Sequence, residues 1–205
     1  MRPYRNAPLV YVVDDDEAVR DSLTLLLKAV GLTSRAYASA TAFLQAYDPQ
    51  QHGCLVADIR MPGMSGLDLQ AELNERGALI PLVFITGHGD VPMAVAAMKS
   101  GALDFIEKPF REQDLLDRVH EALSRDRERR AENLQTLAIR KRLAALTPRE
   151  TEVMERVVQG QPNKVIAMDL GVSQRTVEIH RARVMEKMGV RSVAHLVRAA
   201  AAAKP

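Results

Sequence analysis

Acidic residues sit where apolar runs end. Residues 9–13 (LVYVV) lead into Asp14, Asp15 and Asp16, and the run CLVAD closes on Asp58. Three like charges in a row repel, so the cluster costs stability unless a helix start, a cation or a phosphate-handling site offsets it. Taken alone, Asp14, Asp15 and Asp16 would serve the N-terminus of the helix that follows. Asp14, Asp15 and Asp58 together would surround one point with hard oxygen donors. That set suits Mg²⁺, which accepts a few carboxylates and keeps several waters. A carboxylate can also act as a nucleophile and form an aspartyl phosphate, while the ion neutralises charge on the incoming phosphoryl group. Lys108 supplies a point charge for phosphate oxygens, and the Thr86 hydroxyl can donate to one of them. Singly, Asp58 is a loop residue, Thr86 a strand end and Lys108 a solvated charge. Chemistry requires that they converge.

The elements that would bring them together are legible in the pattern. Apolar runs at 9–13, 33–37, 54–59, 80–86 and 103–106 alternate with stretches of helical spacing at 17–30, 40–46, 67–76 and 91–98. Strands alternating with helices through short loops, such as MPGMSG and the Gly-rich GHGD, predict βαβ units and a parallel sheet. Ligands in such sheets sit beyond the carboxyl ends of the strands. Asp14 follows the first strand, Asp58 ends the third, Thr86 ends the fourth and Lys108 follows the fifth. Residues about 100 positions apart would therefore share one sheet edge.

Composition sets the bounds. The chain has 205 residues, 47% hydrophobic and 26% charged, as in a globular protein of one or two domains. A single cysteine, Cys54, excludes an internal disulfide framework and fits a reducing compartment. No run approaches the ~20 apolar residues of a membrane span, and the N-terminus lacks the apolar core of a signal peptide. These features predict a cytoplasmic protein. The net charge of +2 conceals an asymmetry. Residues 1–125 hold 12 Lys and Arg against 17 Asp and Glu, whereas 141–205 hold 12 against 6. An acidic half and a basic half point to two domains with different partners, nucleic acid among them.

Beyond residue 112 the pattern changes. Residues 112–143 contain neither Gly nor Pro. Leu115, Leu116, Val119, Ala122 and Leu123 form a helical stripe, SRDRERRAEN is almost wholly polar, and Leu134, Leu137, Ala138 and Leu143 resume the stripe. The strong helix formers predict a helix through this linker. The last ~60 residues read as four helices. Thr147, Pro148 and Glu150 form a capping-box start. Asn163 begins a short helix closed by Gly171, and Ser173 caps a longer one closed by Gly189. Two helices joined by the turn GVS are a helix-turn-helix signature, with 173–188 as the recognition helix. On its DNA-facing side we place Gln174, Arg175, Thr176, Val177, His180 and Arg181. Arg suits guanine, Val a thymine methyl and Thr a phosphate. Lys164 and Lys187 are assigned to phosphates, Asn163 to a helix-start contact, and Val184 and Met188 to the core.

These residues resemble a known family. VVDDD, DIRMPGMSG, VFITGHGD and DFIEKPF resemble the receiver domain of two-component response regulators. LTPRETEV and NKVIAMDLGVSQRTVEIHRARVMEKM resemble the LuxR-type helix-turn-helix domain. In this order they are similar to the FixJ/NarL class over nearly the whole chain. The resemblance implies a receiver at 1–124 with a flavodoxin-like (CheY-like) doubly wound five-stranded parallel sheet, a helical linker at 125–140 and an all-α DNA-binding domain at 141–205. It makes Asp58 the phosphoacceptor. Asp15, Asp58 and the main-chain carbonyl of Arg60 become Mg²⁺ ligands, and Asp14 acts partly through water. Asp16 falls outside the acid pair and goes to the helix start. Thr86 and Lys108 match the switch and phosphate-contacting positions. Phe105 matches the switch aromatic, often Tyr in the family, so a steric switch without a hydroxyl is implied. Lys108–Pro109 matches a cis peptide bond.

The implied partners are a sensor histidine kinase, double-stranded DNA, RNA polymerase and, on phosphorylation, a second copy joined through helix 91–100 and strand 103–107. The implied role is transcriptional activation, not enzymatic turnover, at nitrogen-fixation or oxygen-responsive genes. Two alternatives stay open at this point. A receiver that switches without phosphate would leave the acid pair, Thr86 and Lys108 without a purpose. A phosphatase of the haloacid dehalogenase type would use Asp14 as nucleophile and Asp16 as acid. It expects Thr or Val where this chain has Ala18, and it gives the basic half no role.

Overall fold

The computed structural model describes residues 7–87 and 91–202. It divides into two compact units, Met1–Arg130 and Ala131–Pro205, with the boundary inside the stretch 125–140. Residues 88–90 of the GHGD loop lie outside the described residues.

In the first unit five strands alternate with helices: β1 (Leu9–Val13), α1 (Glu17–Ala29), β2 (Thr33–Tyr37), α2 (Ala40–Ala46), β3 (Gly53–Asp58), α3 (Gly66–Glu75), β4 (Leu82–Thr86), α4 (Val91–Lys99), β5 (Asp104–Glu107) and α5 (Glu112–Ala144). The strands pair in parallel in the order β2-β1-β3-β4-β5, the doubly wound arrangement anticipated above. β1, β3 and β4 are buried along their whole length, which is why they read as unbroken apolar runs and not as alternating ones. Tyr11, Phe43, Leu55, Leu69 and Phe84 pack on the sheet face covered by α2, α3 and α4. Val10, Val56, Leu23, Leu27, Leu115 and Val119 pack on the face covered by α1 and α5.

Two glycines are set by close backbone approach. A Cβ on Gly53 would lie 2.0 Å from the Leu9 carbonyl oxygen, and one on Gly66 would lie 2.4 Å from that of Asp58. Gly66 therefore allows the start of α3 to pack directly behind the third strand's end. The Gly66 amide donates to the Ile59 carbonyl at 2.8 Å, and the capping box of Ser65 and Asp68 fixes the same turn.

The second unit holds the last turns of α5 and four helices: α6 (Pro148–Val158), α7 (Asn163–Leu170), α8 (Gln174–Met188) and α9 (Val193–Ala202). Val153, Val157, Ile166, Val177, Val184, Met188 and Leu196 make its core. The linker is helical as expected, but of its second apolar stripe only Leu143 packs. Leu134 and Leu137 are 68% and 60% exposed, and Ile139 and Leu143 are the residues that pack. Among the described residues, no helix is long and apolar enough to cross a membrane.

Candidate functional site

The parallel sheet collects the acids at its carboxyl edge. Asp14 leaves the end of β1 and Asp58 is the last residue of β3. Carboxylate oxygens of Asp14, Asp15 and Asp58 lie within 4.8 Å of one another. The three consecutive aspartates have three separate tasks. Asp14 is buried and accepts from Lys108 Nζ at 2.8 Å. Asp15 is exposed at the mouth of the site. Asp16 caps α1, accepting from the Ala18 amide at 2.8 Å, as its position after the acid pair implied. Arg20 donates to the Asp14 carbonyl at 2.8 Å and ties α1 to the same turn.

Asp58 is buried, and one carboxylate oxygen accepts from the Ile59 amide at 2.9 Å. Burial pushes its carboxyl above the usual range; Lys108 opposes this, and Asp14 and Asp15 add to it. Hard oxygen donors, clustered and short of positive charge, fit a small divalent cation, held by Asp14, Asp15 and Asp58. Arg60 is exposed and shares with Asp15 a cavity of about 560 Å³, walled by Met61, Pro62, Leu67 and Met93, beside the acids.

Thr86 closes β4 and is buried, and its carbonyl accepts from the Lys108 amide at 2.7 Å. This bond holds Lys108 beside the end of β4, and the Lys108–Pro109 peptide bond is cis. Phe105 sits opposite Phe84 in the β4–β5 register and is half-buried against the α2–α4 side of the core. The four residues that sequence spacing placed at one edge are thus neighbours.

The DNA-facing side of α8 needs correction. Val177 is 0% exposed and packs with Val153 and Val184 in the core, so it cannot touch a base. At 3.6 residues per turn Arg181 lies on the same inward side as Val177 and Val184. Its guanidinium donates to Asn163 Oδ1 at 2.5 Å, joining α8 to the start of α7. Both residues assigned to DNA are therefore engaged with each other. Lys187 also has an internal task. Its Nζ donates to the buried Glu150 at 2.6 Å and to the Ala145 carbonyl at 3.2 Å. This ion pair and the Thr147 amide hold the Glu150 carboxyl down at about 2. His180 is half-buried, and its Nδ1 has no hydrogen-bond partner among the described residues. Gln174, Arg175 and Lys164 remain exposed, and Thr176 is half-exposed beside the Ser173 cap. Glu178, Ile179, Ala182 and Arg183 are exposed on α8 and were missed. Counting three or four residues on from Arg175 would have found them.

Residues 10–120 match the response regulator receiver domain, and residues 144–200 match the bacterial regulatory proteins of the luxR family. The chain is a response regulator with a LuxR-type DNA-binding domain. The regulator is 50% identical to the transcriptional regulatory protein FixJ of Azorhizobium caulinodans, over 93% of this chain and 90% of that one. It is 49% identical to nodulation protein W of Bradyrhizobium diazoefficiens, over 93% and 84% of the two chains. Among solved structures the regulator resembles the response regulator StyR, with a TM-score of 0.87 and 45% identity over 95% of this chain and 98% of that one. Full-length FixJ of B. japonicum matches at a TM-score of 0.58 and 41% identity, over 96% and 97%. The regulator's fold and recognition elements thus belong to a sensor-kinase-dependent, DNA-binding class and not to a phosphatase.

Proposed function

We propose that the regulator is a transcriptional activator switched by phosphoryl transfer from a sensor histidine kinase to Asp58. The receiver comprises 1–124, the linker 125–140 and the DNA-binding domain 141–205. The convergence of Asp14, Asp15 and Asp58 within 4.8 Å, with Lys108 at 2.8 Å from Asp14, carries the reading. An Asp58 carboxylate oxygen attacks phosphorus, the P–O bond forms as the P–N bond to the kinase imidazole breaks, and the imidazole leaves. Bound Mg²⁺ would supply charge neutralisation at the phosphoryl oxygens, held by Asp14, Asp15, Asp58 and the Arg60 carbonyl. Lys108 moves its ammonium from Asp14 toward the new anion, and the Thr86 hydroxyl donates to it. Phe105, lacking a hydroxyl, follows by repacking alone, which reshapes the surface of α4 and β5.

That surface would pair two phosphorylated copies in the cytoplasm, and the paired basic units would bind repeated half-sites and engage RNA polymerase. Likeness to FixJ of A. caulinodans and Rhizobium meliloti, 50% and 48% identical, favours nitrogen-fixation genes as targets within this reading. The test is intact mass after incubation with Mg²⁺ and acetyl phosphate, wild type beside Asp58→Asn. One phosphoryl adduct on the wild type alone is expected. Adducts on both proteins, or on neither, would overturn the assignment.

A further inference from the structure

The acid site opens into a space larger than a phosphoryl group needs. Beside Asp15 and Arg60 lies the cavity of about 560 Å³, walled by Ile59, Met61, Leu67 and Met93. That volume is in the range of small-ligand sites, about 300–1,000 Å³. The charged oxygens of a phosphoryl group call for cations and hydrogen-bond donors, and Lys108 and Thr86 supply these at the sheet edge. The cavity offers something else, a mostly apolar wall that contains two thioethers. Thioethers make favourable contacts with aromatic rings, at about 5 Å from sulfur to ring. Met61 is 8% exposed and Met93 is half-buried, and both pack against the core. The wall is also preformed. The Gly66 amide, bonded to the Ile59 carbonyl, closes the loop that carries Met61, and the Ser65–Asp68 capping box holds that loop to α3. The direction of reaction leads to the same place. Phosphoryl transfer sets the attacking and leaving atoms roughly in line through phosphorus. Asp58 attacks from the buried end of β3. The leaving group therefore departs toward the mouth, where Asp15 stands and the cavity begins.

We infer that this cavity is a leaving-group subsite: it holds an aromatic ring carried by the phosphoryl donor, with Met61, Leu67 and Met93 setting the preference. The inference rests on Asp58 as phosphoacceptor, and the experiment separates the two. Two acyl phosphates share one anhydride chemistry and differ in the apolar body, acetyl phosphate and benzoyl phosphate. With either donor an Asp58 carboxylate oxygen bonds to phosphorus, the P–O bond to the acyl group breaks, and acetate or benzoate leaves with the electron pair. The full chain is incubated with Mg²⁺ and each donor at equal concentrations well below saturation. Intact mass follows the rate at which the adduct appears. Wild type should react about tenfold faster with benzoyl phosphate, the worth of a few buried ring carbons. Met93→Ala should reduce that preference to about threefold, since the ring loses one wall. Met93→Leu, which restores apolar volume, should keep most of it. Each preference is a ratio of two rates on one protein, so a general loss of reactivity cancels. The wild-type comparison needs no substitution and stands whatever the stability of the variants. Equal rates for the two donors, or an unchanged preference in Met93→Ala, would overturn the inference and leave Asp58 as acceptor. No adduct from either donor would overturn the phosphoacceptor reading and the inference with it.

Discussion

Asp58 is buried beside Asp14 and Asp15, and Lys108 is the cation that offsets them. A carboxyl raised by its surroundings favours the fold when protonated, and that contribution is lost as pH rises through its titration. At neutral pH the ionised group therefore strains the first unit. Asp58→Asn, which can still accept from the Ile59 amide, should raise the melting temperature at pH 7 without divalent cation by roughly 3–5 °C, what about 1 kcal/mol is worth in a unit of this size. Saturating Mg²⁺ should raise the wild type more than the variant, and a scan showing no difference between them would sink the account. Glu150 has the opposite sign. Its carboxyl is held at about 2 by Lys187 and the Thr147 amide, against an ordinary value of 4.5. Its contribution is present above about pH 4.5 and lost as pH falls toward 2. Melting of Glu150→Gln should thus differ from wild type at pH 7, with the gap narrowing below about pH 4.5 and closing only as pH falls to about 2. Asp14, Asp58, Thr86 and Lys108 were legible in the sequence because each ends or follows a strand, and a parallel sheet gathers strand ends whatever their separation. Val177 was misread because consecutive letters of a motif carry no rotational phase. Contacts with α6 and α7 decide which side of α8 faces inward.

Helix α5 shows the same limit for a whole element. Its apolar stripe against the sheet ends at Leu123, and the residues beyond read as solvated charge. Yet Asp126 is fully buried. It accepts from the Gly53 amide and from Arg130 Nε, each at 2.9 Å, and is paired with His52 Nδ1. Arg130 in turn donates to the carbonyls of Pro49 and Gln51 at 3.1 and 2.8 Å. A polar clasp thus holds α5 to the loop before β3 for nearly two turns after its apolar packing stops. Asp126→Ala leaves Arg130 Nε and the buried Gly53 amide without their acceptor, and should destabilise the first unit by about 3 kcal/mol. The urea midpoint checks the magnitude. Amide exchange should quicken first between residues 124 and 130, and unchanged exchange there would refute the clasp. The strands and helix starts were legible because burial on both faces and capping residues are local signals. The clasp was not, since one acid in a charged run looks like any other and its amide partner lies 73 residues away. Leu134 and Leu137 fail in the reverse direction, keeping helical spacing while remaining exposed.

Across the whole molecule the charge is divided between the units. Residues 1–130 carry 15 Lys and Arg against 19 Asp and Glu, a net of −4, and residues 131–205 carry 13 against 7, a net of +6. A duplex attracts the second unit and repels the first, and both effects weaken as salt shortens the screening length from about 14 Å at 0.05 M to about 7 Å at 0.2 M. The basic unit's gross affinity for phosphate is therefore larger than the full chain displays. A fragment of residues 131–205 should bind a non-cognate duplex about tenfold more tightly than the full chain at 0.05 M salt and only about twofold more tightly at 0.2 M. Fluorescence anisotropy with a labelled duplex measures both. The fragment should also show the steeper dependence of log affinity on log salt, because fewer of its phosphate contacts are offset by neighbouring acids. Equal affinities at low salt would mean that the acidic unit exerts no field at the duplex, and that discrimination against non-specific DNA rests on the residues of α8 alone.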